Sequence, residues 1–148
     1  MSAEPARLIW SLSNSGLGTT VTASGNSGAW QSPGVPPWTP NALSAIDLRY
    51  VEDVWLTVWV AGSVTGTTPQ LTVSLNTFDD RGHLFNAYAF TSGGILTASV
   101  LSAQVSLGKH GSAANAYLVF SEWGQISWAI GGTATPTFPG AEISLYGR

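Results

Sequence analysis

The chain has 148 residues, no cysteine, a formal net charge of −3 and charged side chains at only 9% of its positions. One domain of this length can bury a core without covalent staples. The missing thiols exclude disulfides, thiolate metal sites and cysteine nucleophiles, and five Lys plus Arg are too few for a phosphate-led nucleic-acid interface.

A protein that lives alone in water keeps roughly a quarter or more of its surface charged. Here Ser, Thr, Asn and Gly take that place, together with seven Trp. Indole is enriched at protein interfaces, so the composition predicts a surface covered by neighbours. The opening Met-Ser-Ala-Glu-Pro-Ala-Arg lacks the charged and apolar regions of a signal peptide. No apolar run has the length of a membrane span. Synthesis in a cytoplasm is the expectation.

In chain order, Leu8, Trp10 and Leu12 alternate with Ile9 and Ser11, which predicts a short strand. Residues 13–40 form a stretch rich in Ser, Gly and Pro, with Thr19 to Thr22 able to make a strand inside it. Ser32-Pro33-Gly34-Val35-Pro36-Pro37-Trp38-Thr39-Pro40 forbids helix and central strand. It should be extended, either as a strap over the domain or as an arm reaching a neighbour. Asn41 to Asp47 has room for about a turn of helix.

Val54 to Ala61 carries the strongest strand pattern. Val54, Leu56, Val58 and Val60 face one way; Trp55, Thr57, Trp59 and Ala61 face the other. With both faces apolar, a central strand is predicted, its second face covered by a loop, a sheet or another subunit. Gly62 to Pro69 should turn the chain, and Leu71, Val73 and Leu75 should return beside it. Asp79-Asp80-Arg81-Gly82 reads as a tight turn before a strand from Leu84 to Phe90. Ile95 to Leu107 alternates with a break at Val100-Leu101, and Gly108-Lys109-His110-Gly111 turns again. Ala116 to Trp123 and Gln125 to Ile130 should pair around Gly124. Gly131 to Gly140, with two prolines, reads as a loop before a last strand, Ala141 to Tyr146. Gly66-Thr67-Thr68-Pro69 before Leu71 to Leu75 echoes Gly132-Thr133-Ala134-Thr135-Pro136 before Glu142 to Leu145, either as two similar hairpins or as repeated turn chemistry. The whole predicts a single all-β domain over 1–148, a two-sheet antiparallel sandwich of jelly-roll type.

Chemistry is sparse. Asp79, Asp80 and His83 are close in sequence, but a metal site needs more converging ligands, and turn capping by an aspartate is the simpler role. Asp47, Glu52, Asp53, Glu122 and Glu142 show no pattern of paired acids facing a cleft. No nucleophile triad and no phosphate loop can be assembled. No catalytic, metal or cofactor residues are assigned, and the chain is expected not to be an enzyme. The tryptophans carry the remaining signal. Trp10 and Trp128 are expected in the core. Trp55 and Trp59 share a strand face and, if that face is not core, form a ridge that needs a partner. The candidate interface is therefore Trp30, Pro36, Pro37 and Trp38 in the extended segment, with Trp55 and Trp59.

Val54 to Phe78, the Asp79-Asp80-Arg81-Gly82 turn after it, the closing Gly132 to Gly147 and the charge-poor Gly/Ala/Thr/Trp texture together resemble the small β-sandwich virion proteins of tailed bacteriophages, in particular capsid decoration proteins. The resemblance implies a homotrimer made in the host cytoplasm. It would bind the outside of the major capsid protein shell and stabilise it, with no nucleic acid, membrane or cofactor involved. A tail or head-fibre module, or a carbohydrate-binding module using exposed Trp, are the alternatives.

Overall fold

The computed structural model describes residues 5–12, 18–27, 46–79, 83–89, 96–108 and 120–148. These residues form nine strands and no helix: β1 (Arg7–Ser11), β2 (Thr19–Val21), β3 (Gly25–Asn26), β4 (Ile46–Asp47), β5 (Asp53–Trp59), β6 (Thr65–Phe78), β7 (Leu84–Ala89), β8 (Ser102–Gly108) and β9 (Trp123–Gly147). Every registered pair is antiparallel. Hydrogen bonds join the strands into one sheet in the order β7-β6-β9-β5-β8, with β1 to β4 also pairing to β9.

The organising element is the long β9. Its first half pairs with β6, from Phe78↔Trp123 to Gln70↔Gly131. Its last turn of sequence pairs with β5, from Trp59↔Glu142 to Val54↔Gly147. The net register is the same on either side of the crossing: Gln70 lies eleven positions after Trp59, and Glu142 eleven after Gly131. Thus 53–78 and 123–147 run beside each other as one antiparallel ribbon. Alternate residues of both halves point into a single core. Val54, Leu56 and Val58 meet Ile143 and Leu145 there, along with Leu71, Val73, Leu75, Ile126 and Phe138. Trp10 and Trp128 pack against this cluster half-buried, and Trp128 donates its indole N–H to the Ala23 carbonyl at 3.1 Å.

The crossing is where the two echoed motifs meet. Thr67 lies opposite Thr133, with register shifts on both sides. Gly66 and Gly132 hold φ of +108° and +106°, values that only glycine adopts without strain. A Cβ on Gly66 would lie 2.8 Å from Pro136 Cα, and one on Gly132 2.7 Å from the Thr68 carbonyl oxygen and 3.1 Å from Pro69 Cα. Each motif's glycine thus packs on the other motif's proline. Bulges interrupt the ladder at this point, which is where a strand tolerates proline.

Several expectations change accordingly. The segment from Gly62 does not turn so that Leu71 to Leu75 returns beside β5; β6 starts at Thr65 and pairs with β7 and β9. Gly131 to Gly140 is not a loop but the bulged middle of β9. Gly124 is no hairpin tip; it sits inside the strand, opposite Thr77 and Ile46, where a side chain would press on Leu48 and Leu75. Ile46–Asp47 is strand, not helix. The break near Val100-Leu101 is present between an isolated bridge at Leu96 and β8.

Candidate functional site

One face of the ladder β8-β5-β9-β1 points away from the core. Directly opposed residues share a face, so the registers define three rows across it. The first is Ser106, Trp55, Tyr146 and Leu8; the second is Gln104, Thr57, Ser144 and Ser11; the third is Ser102, Trp59 and Glu142. Two aromatic rows therefore flank a hydroxyl-rich one. Along β5 the two indoles stand about 13 Å apart.

The two tryptophans differ in support. Trp55 is half-buried, with the Arg148 guanidinium 5.4 Å from its ring centroid. Arg148 is itself held by Asp53 at 2.8 Å. Trp59 is 49% exposed and Leu8 54% exposed. Trp59 has Ser102 on one side and Glu142 on the other. An indole that open, fixed on a central strand, offers a large apolar area with little rotamer freedom to lose.

A second exposed aromatic lies at the β4 end. Tyr50 is 80% exposed. Arg49 stands 5.5 Å from its ring and 4.5 Å from that of Trp123, and Trp123 packs with Phe78. The Arg49 guanidinium and backbone N–H both donate to Asp47, the shortest contact being 2.8 Å. Chiefly through that side-chain hydrogen bond, Arg49 holds the Asp47 carboxyl below its ordinary range. A depressed folded-state pKa stabilises the fold above the unfolded value and ceases to do so as pH falls through the folded one. Both partners are near half-exposed, so the pair is worth under about 1 kcal/mol. Asp47→Asn should lower the melting temperature slightly at neutral pH, and the difference from wild type should vanish below the carboxylate range; a melting series against pH checks this.

Of the residues singled out in the sequence, Trp55 and Trp59 share this outer face, while Trp30, Pro36, Pro37 and Trp38 lie outside the described residues. Asp79 accepts from the His83 backbone N–H at 2.8 Å and contacts the His83 ring at 3.0 Å, while the turn expected at Asp80 to Gly82 lies outside the described residues. Among the described residues no group of three or more His, Asp or Glu is placed to hold a metal. Leu8, Glu142 and Tyr146 are not among the interface residues that the sequence suggests. Their alternation within their own strands was visible, but their place beside Trp55 and Trp59 follows from pairing between distant segments.

No protein-family model matches the chain, and no curated protein matches it. Among solved structures, a chain in the structure of infectious bursal disease virus Gt strain aligns over 99% of this chain and 38% of its own length, at 12% identity and a TM-score of 0.32. This chain thus spans well under half the length of that one, and the likeness is too slight to define a shared architecture.

Proposed function

We propose that the chain is a structural virion protein, a capsid decoration protein that binds the outside of the major capsid protein shell and stabilises it. The observation that carries the reading is the half-exposed Trp59, which shares one sheet face with Trp55, Tyr146 and Leu8, in a chain with charge at only 9% of its positions. Such a face gains free energy by being covered. Repetition over a symmetric shell turns individually modest contacts into firm attachment. The same reading takes the two halves of the ribbon as facing layers of a sandwich, since both feed one core. It assigns no catalytic role to the chain.

A Trp59→Ser chain should keep its circular dichroism spectrum but bind assembled shells about 30-fold more weakly in co-sedimentation, the scale of an interface hot spot. Unchanged binding would remove this face from the interface. Trp59 between the Ser102 hydroxyl and the Glu142 carboxylate also suits a sugar, with the indole as stacking platform and its neighbours as hydrogen-bonding groups. A glycan array separates the two: signal lost in Trp59→Ser favours a carbohydrate-binding module, and a silent array removes it.

A further inference from the structure

Among the described residues, β8 ends one side of the sheet. It reads Ser-Ala-Gln-Val-Ser-Leu-Gly, with neither charge nor proline. It pairs one-to-one with β5 from Asp53↔Gly108 to Trp59↔Ser102 without a bulge. Proteins normally blunt an edge strand with charge, proline or a bulge, because its free backbone groups invite another strand. β8 carries none of these.

The bond from the Val60 N–H to the Leu101 carbonyl, at 2.9 Å, fixes which way each β8 residue faces. Bonded and non-bonded pairs alternate along an antiparallel ladder. Hence Ala103, Val105 and Leu107 bond to β5, while Ser102, Gln104 and Ser106 turn their N–H and C=O groups outward. The other side of β5 agrees. Asp53 and Arg148 exchange both backbone bonds, at 2.9 and 3.1 Å, which commits the odd-numbered β5 residues to β9 and leaves the even-numbered ones to β8. The three outward residues read Ser-Gln-Ser in either direction.

We propose that β8 pairs antiparallel with the β8 strand of a second copy of this chain, about a two-fold axis at Gln104. Gln104 then lies opposite its own counterpart and Ser102 opposite the counterpart of Ser106, so every outward backbone group meets a complementary one. Ala103 falls opposite the counterpart of Val105, apolar against apolar, and no charges oppose each other. The contact is isologous and joins the two outer faces, each with its Trp55 and Trp59, into one continuous surface. This edge calls for a two-fold contact, whereas the decoration-protein resemblance implies three-fold assembly. The inference is independent of what the aromatic face binds.

Light scattering on the full chain should give the mass of two copies. Gln104→Pro removes one outward N–H while leaving the bonds to β5 intact, a change that edge strands tolerate. It should raise the dimer dissociation constant at least 10-fold with an unchanged circular dichroism spectrum. Gln104→Ala keeps the N–H and should remain dimeric. A wild-type mass of one or three copies, or a Gln104→Pro chain as dimeric as wild type, would overturn the proposal. Should Gln104→Pro fail to fold, Gln104→Cys decides in this otherwise cysteine-free chain. Paired Cα atoms about 5.5 Å apart lie within disulfide reach, so oxidation yields a single cross-linked dimer, and its failure to form overturns the two-fold pairing.

Discussion

Phe138→Ala is expected to lower the unfolding free energy by about 4 kcal/mol. Among the described residues Phe138 is the largest of the fully buried side chains. It sits on β9 just past the crossing, opposite Val21 of β2, between the part of β9 that follows β6 and the part that follows β5. It belongs to the one core cluster that residues of both halves of the ribbon build. Truncation removes its transfer free energy and leaves a cavity that the surrounding strands cannot close without giving up ladder bonds. In a domain of this size the melting temperature should fall by about 10 °C. Denaturant titration should show a lower midpoint at an unchanged slope. A loss below about 1 kcal/mol would mean the two halves do not share a core at this point.

Gly132→Ala is expected to cost about 3 kcal/mol, although it adds a single methyl group to a surface strand. At φ +106° an L side chain is strained. Its Cβ would also lie 2.7 and 2.8 Å from the carbonyl oxygens of Thr68 and Thr67. Those are backbone atoms, so relief requires the crossing itself to open. The adjacent glycine is the internal control. A Cβ on Gly131 would meet Gln70 Oε1 at 3.4 Å, the tip of a flexible side chain, so Gly131→Ala should cost under about 1 kcal/mol. Paired thermal melts of the two variants measure the difference. Equal losses would contradict the reciprocal packing of the two Gly…Pro motifs.

The strands themselves were legible from alternation. β1, β5, β7 and β8 fall where hydrophobic period and turn residues place them, and β1, β5 and β8 each lay one face on the core. Their connections were less so. Glycine and proline at 66–69 and 132–136 normally punctuate the chain, and a local reading makes them turns. Here the two motifs satisfy each other across the crossing, so the strands run on through the punctuation. That depends on a contact between residues some 65 positions apart, which no local window contains. The outer face was half-legible for the same reason. Trp55 and Trp59 share it by simple alternation on one strand, whereas Tyr146, Glu142 and Leu8 join them only through the registers of β9 and β1. The echo between the two motifs was the one sequence signal of the crossing, and its meaning lay in their facing each other.

Tryptophan oxidation footprinting of the chain, free and bound to assembled capsid shells, tests the central claim most directly. Trp59 should be reactive in the free chain and protected on the shell. Equal reactivity of Trp59 in the two states, with the chain demonstrably bound, would contradict the assignment of the outer sheet face as the surface through which this protein works.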